Sequence, residues 1–142
     1  MGQGVWNLEQ GAGSLGLGVG GVELIMSDFR FEDFEIWQRA CDVGDVLCDL
    51  ADEFSSKQLY GFADQLRRAA LSITNNIAEG SGSESKKEFA NFLNYARRSV
   101  FECANMVIFF ERKRHIAREE KERLVPQLSE LSRKIISFKR SL

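Results

Sequence analysis

From residue 33 onward, apolar positions recur at steps of three and four, in four blocks divided by short polar or glycine-rich breaks. In the first block, 33–54, two adjacent rows are apolar. One row holds Phe34, Trp37, Cys41, Gly44, Cys48 and Ala51, and its neighbour holds Ile36, Ala40, Val43, Leu47, Leu50 and Phe54. Asp42, Asp45, Asp49 and Asp52 follow the outer face and read as a solvated surface, since they lack the glycine turn of a calcium loop. A short connection over 55–59 leads to the second block, 60–79. There Phe62, Leu66, Ala69, Ala70, Ile73 and Ile77 form the core row, flanked by a polar stripe of Gln65, Arg68, Ser72, Asn76 and Glu79. Gly80 is expected to end this helix, because glycine is common just past a helix C-terminus. Ser85-Lys86-Lys87-Glu88 has the spacing of a capping box and opens the third block, 85–114, a helix of roughly 45 Å. Its main core row is Phe89, Phe92, Leu93, Ala96, Val100, Cys103, Val107 and Phe110. The fourth block, 118–141, spaces Leu124, Leu128, Leu131, Ile135, Phe138 and Leu142 regularly around Pro126, so the helix either starts near Val125 or bends there.

Four amphipathic segments with short links predict an all-α, up-down-up-down antiparallel four-helix bundle over 29–142. The third helix goes further: Phe101, Ala104 and Ile108 form a second apolar set, and Tyr95 and Phe109 lie on the remaining side. A helix that is apolar on several faces is buried on several faces, and a four-helix monomer has too few neighbours to cover them. The pattern therefore predicts a homo-oligomer. Residues 1–28 read as a glycine-rich flexible tail. GxGxxG occurs there twice, but without the strand and helix that a dinucleotide site requires. Met26-Ser27-Asp28 would serve as an alternative translation start.

The net charge of −2 hides an asymmetry. Residues 1–54 contain 2 Lys/Arg against 11 Asp/Glu, a net of −9, whereas residues 55–142 contain 17 against 10, a net of +7. An acidic first helix is expected to pack beside basic ones, which still leaves a basic surface for phosphate. Arg67, Arg68, Arg97, Arg98, Lys86 and Lys87 are the candidate phosphate contacts. Gln65, Arg68, Ser72, Asn76, Glu79, Arg97 and Glu102 are the candidate polar seam or oligomer contacts, with Glu79 and Glu102 as expected ion-pair partners of the mid-helix arginines.

Catalytic constellations fail on inspection. The single His115 lacks the Glu three residues before it that a di-iron bundle needs, and positions 107–111 contain no Arg for a ribonuclease of the HEPN type. Cys41, Cys48 and Cys103 form no metal-ligand spacing. Cys41 and Cys48 would lie about 10 Å apart on one helix, too far for a disulfide. The three cysteines read as small core residues in a reducing cytoplasm. No catalytic residue, cofactor or metal is expected, and no apolar run is long enough to span a membrane.

Several blocks carry a family resemblance. Gln65-Leu66-Arg67-Arg68-Ala69 with Ser72-Ile73 and Asn76-Ile77-Ala78-Glu79-Gly80 is one. Phe34 to Ala40, Ser83 to Leu93, and Tyr95-Ala96-Arg97-Arg98-Ser99-Val100-Phe101-Glu102 are the others. Over about 29–142 the chain resembles the bacterial four-helix bundle family first noticed as the protein encoded in intervening sequences of 23S ribosomal RNA genes. It departs from that pattern at Arg98, where glycine is common. The resemblance implies assembly into a ring, a pentamer, and no enzymatic activity. A related branch, the accessory variability protein of diversity-generating retroelements, forms a basic barrel that binds a reverse transcriptase and nucleic acid. Together these readings predict a cytoplasmic, non-catalytic homo-oligomer that binds RNA or a ribonucleoprotein partner. The alternative is a protein–protein interaction scaffold that binds no nucleic acid.

Overall fold

The computed structural model describes residues 27–142. The glycine-rich tail and its GxGxxG repeats lie almost wholly outside the described residues. A 3-10 turn at Arg30–Asp33 precedes four helices: α1 Glu35–Ser56, α2 Tyr60–Ser81, α3 Lys86–Arg112 and α4 Arg118–Arg140. The helices pack in cyclic order, α1 on α2, α2 on α3, α3 on α4, with α4 closing less tightly against α1. This is the expected all-α four-helix bundle.

Each helix buries one row. Of the two rows on α1, the Ile36, Ala40, Val43, Leu47, Leu50, Phe54 row is core, joined by Ala51. The other row borders α2, so Cys41 is half-buried and Cys48 is exposed, which corrects the expectation of three core thiols. On α3 the main row is buried except for Phe92, which is half-buried, and Ser99 and Met106 join it. Aromatic rings close both ends of the core. Phe34 and Phe138 lie 5.0 Å apart at one end, and Phe54 meets Phe110 edge-on at 4.7 Å at the other. Pro126 sits inside α4, which runs through it without a late start. Pro126 is exposed, so the carbonyl left without its donor faces water.

Gly80 does not end α2. It is buried inside the last turn, and a Cβ there would lie 2.6 Å from a ring carbon of Phe89 and 2.7 Å from Phe92 Cβ. Its role is close approach of α2 to α3. Left-handed chain reversal occurs elsewhere, at residues that are not glycine: Gln58 at φ 63° and Arg114 at φ 61°. In both places the next amide reaches back five residues, Leu59 N to Phe54 O and His115 N to Phe110 O, each at 2.8 Å. Ser85 caps α3 as expected, its Oγ accepting from Glu88 N at 3.1 Å.

Opposite substitutions at these positions separate packing from backbone freedom. Gly80→Ala should destabilise by about 1–3 kcal/mol through overpacking, while Arg114→Gly should stabilise by about 1 kcal/mol through relief of the left-handed conformation. Urea denaturation measures both. A second test concerns Cys103, whose thiol burial pushes up from 9.0 to about 12, helped by the charge of Glu102. The folded protein keeps this proton where the unfolded chain releases it, so stability should fall as pH rises from 9.0 toward about 12. Cys103→Ala should flatten that slope in alkaline unfolding curves. Thiol labelling of the native protein should reach Cys48 and spare Cys103.

Candidate functional site

The polar stripe of α2 divides into a buried part and an exposed part. Ser72 Oγ and Ser99 Oγ lie 2.8 Å apart across the α2–α3 contact, and Asn76 Nδ2 donates to Ser72 O at 2.7 Å and to Ser72 Oγ at 3.0 Å. Ser99 is 8% exposed, so this seam belongs to the interior of the bundle. The small side chains Ala69 and Ala96 are buried beside it. Gln65, Arg68 and Glu79 face solvent instead. Ser99 is a member of the seam that the polar-stripe reading missed. Its signal is only that it is a small polar residue on the core side of α3, beside Ala96 and Cys103.

The arginine pairs also separate. Arg67 is used within the chain: it donates to Asp52 Oδ1 at 2.8 Å and Ser55 Oγ at 3.0 Å, and lies 3.7 Å from Asp64. It ties α2 to the acidic α1, and this pairing removes it from the free phosphate contacts. Lys134 does the same from α4, bonding Glu35 at 2.9 Å. That ammonium holds the Glu35 carboxyl below its ordinary pKa, through the hydrogen bond first and its charge second. Arg97 pairs with neither Glu79 nor Glu102. Its Nε donates to Ser132 Oγ at 3.1 Å, and its guanidinium lies 5.0 Å above the ring of Phe101. The expected ion pair does not form because Arg97 lies on the flank of α3 that faces α4, whereas Glu102 points to solvent. Arg68, Arg98 and Lys87 are exposed, Lys86 is half-buried, and none forms an ion pair among the described residues. Arg98 points away from the core, so a side chain there does not hinder helix packing.

α3 leaves large apolar side chains uncovered on two flanks. Phe101, 58% exposed, and Ile108, 44%, lie toward α4, while Tyr95, 49%, and Phe109, 44%, lie toward α2. The glycine–serine turn before α3 is a plain turn: Gly82 N donates to Glu79 O and Ser83 N to Gly80 O. His115 packs near Phe54 and Phe62 at the bundle end. Among the described residues no group of His, Cys, Asp or Glu is arranged to hold a metal ion, and no helix is long and apolar enough to cross a membrane.

Residues 32–137 match the family model described as 23S rRNA-intervening sequence protein. No curated protein matches the chain. Among solved structures it is similar to the crystal structure of a protein of unknown function from the S23 ribosomal protein family of Bacteroides thetaiotaomicron. The TM-score is 0.70 at 23% sequence identity, covering 74% of this chain and 95% of that one. At that identity the likeness is one of fold.

The seam is tested by a double-mutant cycle. Ser72→Ala and Ser99→Ala should each cost about 1 kcal/mol and couple by about 0.5–1.5 kcal/mol, read from denaturant midpoints. Arg67→Gln should cost no more than about 1 kcal/mol, because its ion pair to the exposed Asp52 is screened by water.

Proposed function

The chain belongs to the 23S rRNA-intervening sequence protein family, and from that premise we propose that it is a non-catalytic, cytoplasmic homo-oligomer that binds RNA or a ribonucleoprotein partner. The observation that carries the nucleic-acid reading is the separation of charge across the bundle. α1 presents Asp42, Asp45 and Asp49 on its outer face, while Arg68, Arg98, Lys86 and Lys87 on α2 and α3 form no ion pair among the described residues. Cations without intramolecular partners are available to phosphate, and such contacts need no catalytic group.

Assembly is supported by the two exposed apolar flanks of α3. The Phe101–Ile108 flank and the Tyr95–Phe109 flank are exposed and lie about a third of a turn apart on the helix. Two different patches on one protomer favour a head-to-tail contact, in which one flank meets the other on the next copy. Such contacts close into a ring when the rotation between copies completes a turn, and the resemblance implies five copies. The same apolar surface also favours the second reading, a protein–protein scaffold, because aromatic side chains anchor protein interfaces well.

Two measurements separate these readings. RNA affinity should fall steeply and linearly on a log–log scale as salt rises, and Arg68→Gln with Arg98→Gln should reduce the slope by about two. Absence of RNA binding at low salt would exclude the nucleic-acid reading. In light scattering the protein should run as an oligomer, and Phe101→Asp with Ile108→Asp should convert it to helical monomers. A wild-type monomer would exclude assembly.

A further inference from the structure

Between α3 and α4, toward the C-terminal end of α4, lies a pocket of about 250 Å³. Its apolar wall is Leu93, Ile135 and Ile136, and its polar side is Asn94, Arg97, Lys139 and Arg140. Three cationic side chains line it, with no Asp or Glu among the lining residues. Arg97 is held by Ser132 Oγ on one edge and the Phe101 ring on one face, which leaves its terminal N–H groups for another acceptor. Lys139 Nζ donates to Asn94 Oδ1 at 2.8 Å, a neutral partner that orients the ammonium without cancelling its charge. Arg140 is exposed and forms no ion pair among the described residues.

We propose that this pocket binds the terminal phosphate monoester of a nucleotide, together with its attached nucleoside. The charge argues for a monoester: at pH 7 it carries about −1.5 to −2, against about −1 for an internal diester, so it draws more from three cations. The extent of the pocket argues for a chain end. The lining spans positions 93–97 on α3 and 135–140 on α4, which is about 6 and 7.5 Å of helix, enough for one nucleotide unit and too short for a through-running strand. Leu93 and Ile135 are buried and form the floor, so half-buried Ile136 is the apolar side chain that a sugar or base would meet, a contact that inorganic phosphate alone would leave unused. A free nucleotide and a 5′-phosphorylated RNA end present this same chemistry. The RNA form rests on the RNA-binding reading above, and the free-nucleotide form does not.

The test uses the full chain and two arms. Calorimetry with adenosine 5′-monophosphate, adenosine and inorganic phosphate probes the free ligand. Fluorescence anisotropy with a 3′-labelled oligoribonucleotide, bearing either a 5′-phosphate or a 5′-hydroxyl, probes the RNA end. The monophosphate should bind tighter than either fragment, and the 5′-phosphorylated RNA should bind about tenfold tighter than its 5′-hydroxyl form, as one added charge-assisted contact implies. Arg97→Gln and Lys139→Gln should each abolish this preference, while Lys57→Gln, in the α1–α2 connection, should not. Arg140→Gln at an exposed position keeps the test sound if Arg97→Gln unfolds. Equal binding of both RNA ends with no binding of the monophosphate would overturn the pocket and leave the RNA reading standing. Binding of the monophosphate, lost in the variants, without any RNA binding would uphold the pocket and overturn the RNA reading. Binding of neither would overturn both.

Discussion

The close approach of α2 to α3 is the constraint on which the rest of the bundle depends. Gly80 leaves no room for a Cβ against Phe89 and Phe92, and Ser72 meets Ser99 at hydrogen-bond distance. Small side chains at a helix contact bring the backbones together, and a paired polar contact there avoids the cost of a buried unsatisfied hydroxyl. The approach also has a consequence on the far side. α3 meets α2 on one flank and α4 on another, and Phe101, Ile108, Tyr95 and Phe109 stay partly uncovered by both.

Charge follows the same division. The acidic α1 is neutralised locally by Arg67 from α2 and Lys134 from α4, each bonded to a carboxylate of α1. Of the cations that face away from α1, some pair with other carboxylates, Lys121 with Glu111 and Arg123 with Glu120, and others do not. Arg68 and Arg98 stay in solvent, and the Arg97, Lys139 and Arg140 group collects between α3 and α4 without a carboxylate among the lining residues. A chain with a net charge of −2 can therefore hold a local concentration of positive charge, because what a ligand meets is the nearby field and not the sum.

Much of this was legible in the sequence. The four helices follow from the spacing of their apolar positions, and Ser85 was readable as a cap from the Ser-x-x-Glu pattern. The core row of α3 and the surplus of apolar residues beyond it were also readable, since helical period alone assigns residues to faces. The misreadings share one cause. Gly80 looked like a stop signal and proved a packing residue; Cys48 looked like core and proved exposed; Arg97 looked like a partner for glutamate and proved a partner for Ser132 and Phe101. In each case the residue type and its face were known, but the neighbour on the adjoining helix was not. The pocket residues Lys139 and Arg140 carry no pattern along the chain that joins them to Arg97, which lies about forty positions earlier.

By itself, then, the sequence determined the elements, their polarity, the family and the presence of more apolar surface on α3 than one bundle can bury. These are local or additive properties, set by periodicity and composition along each helix. Only the tertiary structure decided which glycine packs and which residues turn the chain, which arginines are spent on α1 and which remain free, and that three cations from two helices share one pocket. Those facts depend on the rotation of each helix about its axis relative to its neighbours. Periodicity leaves that rotation open, and it is set when small residues at Gly80, Ser72 and Ser99 let α2 and α3 come together.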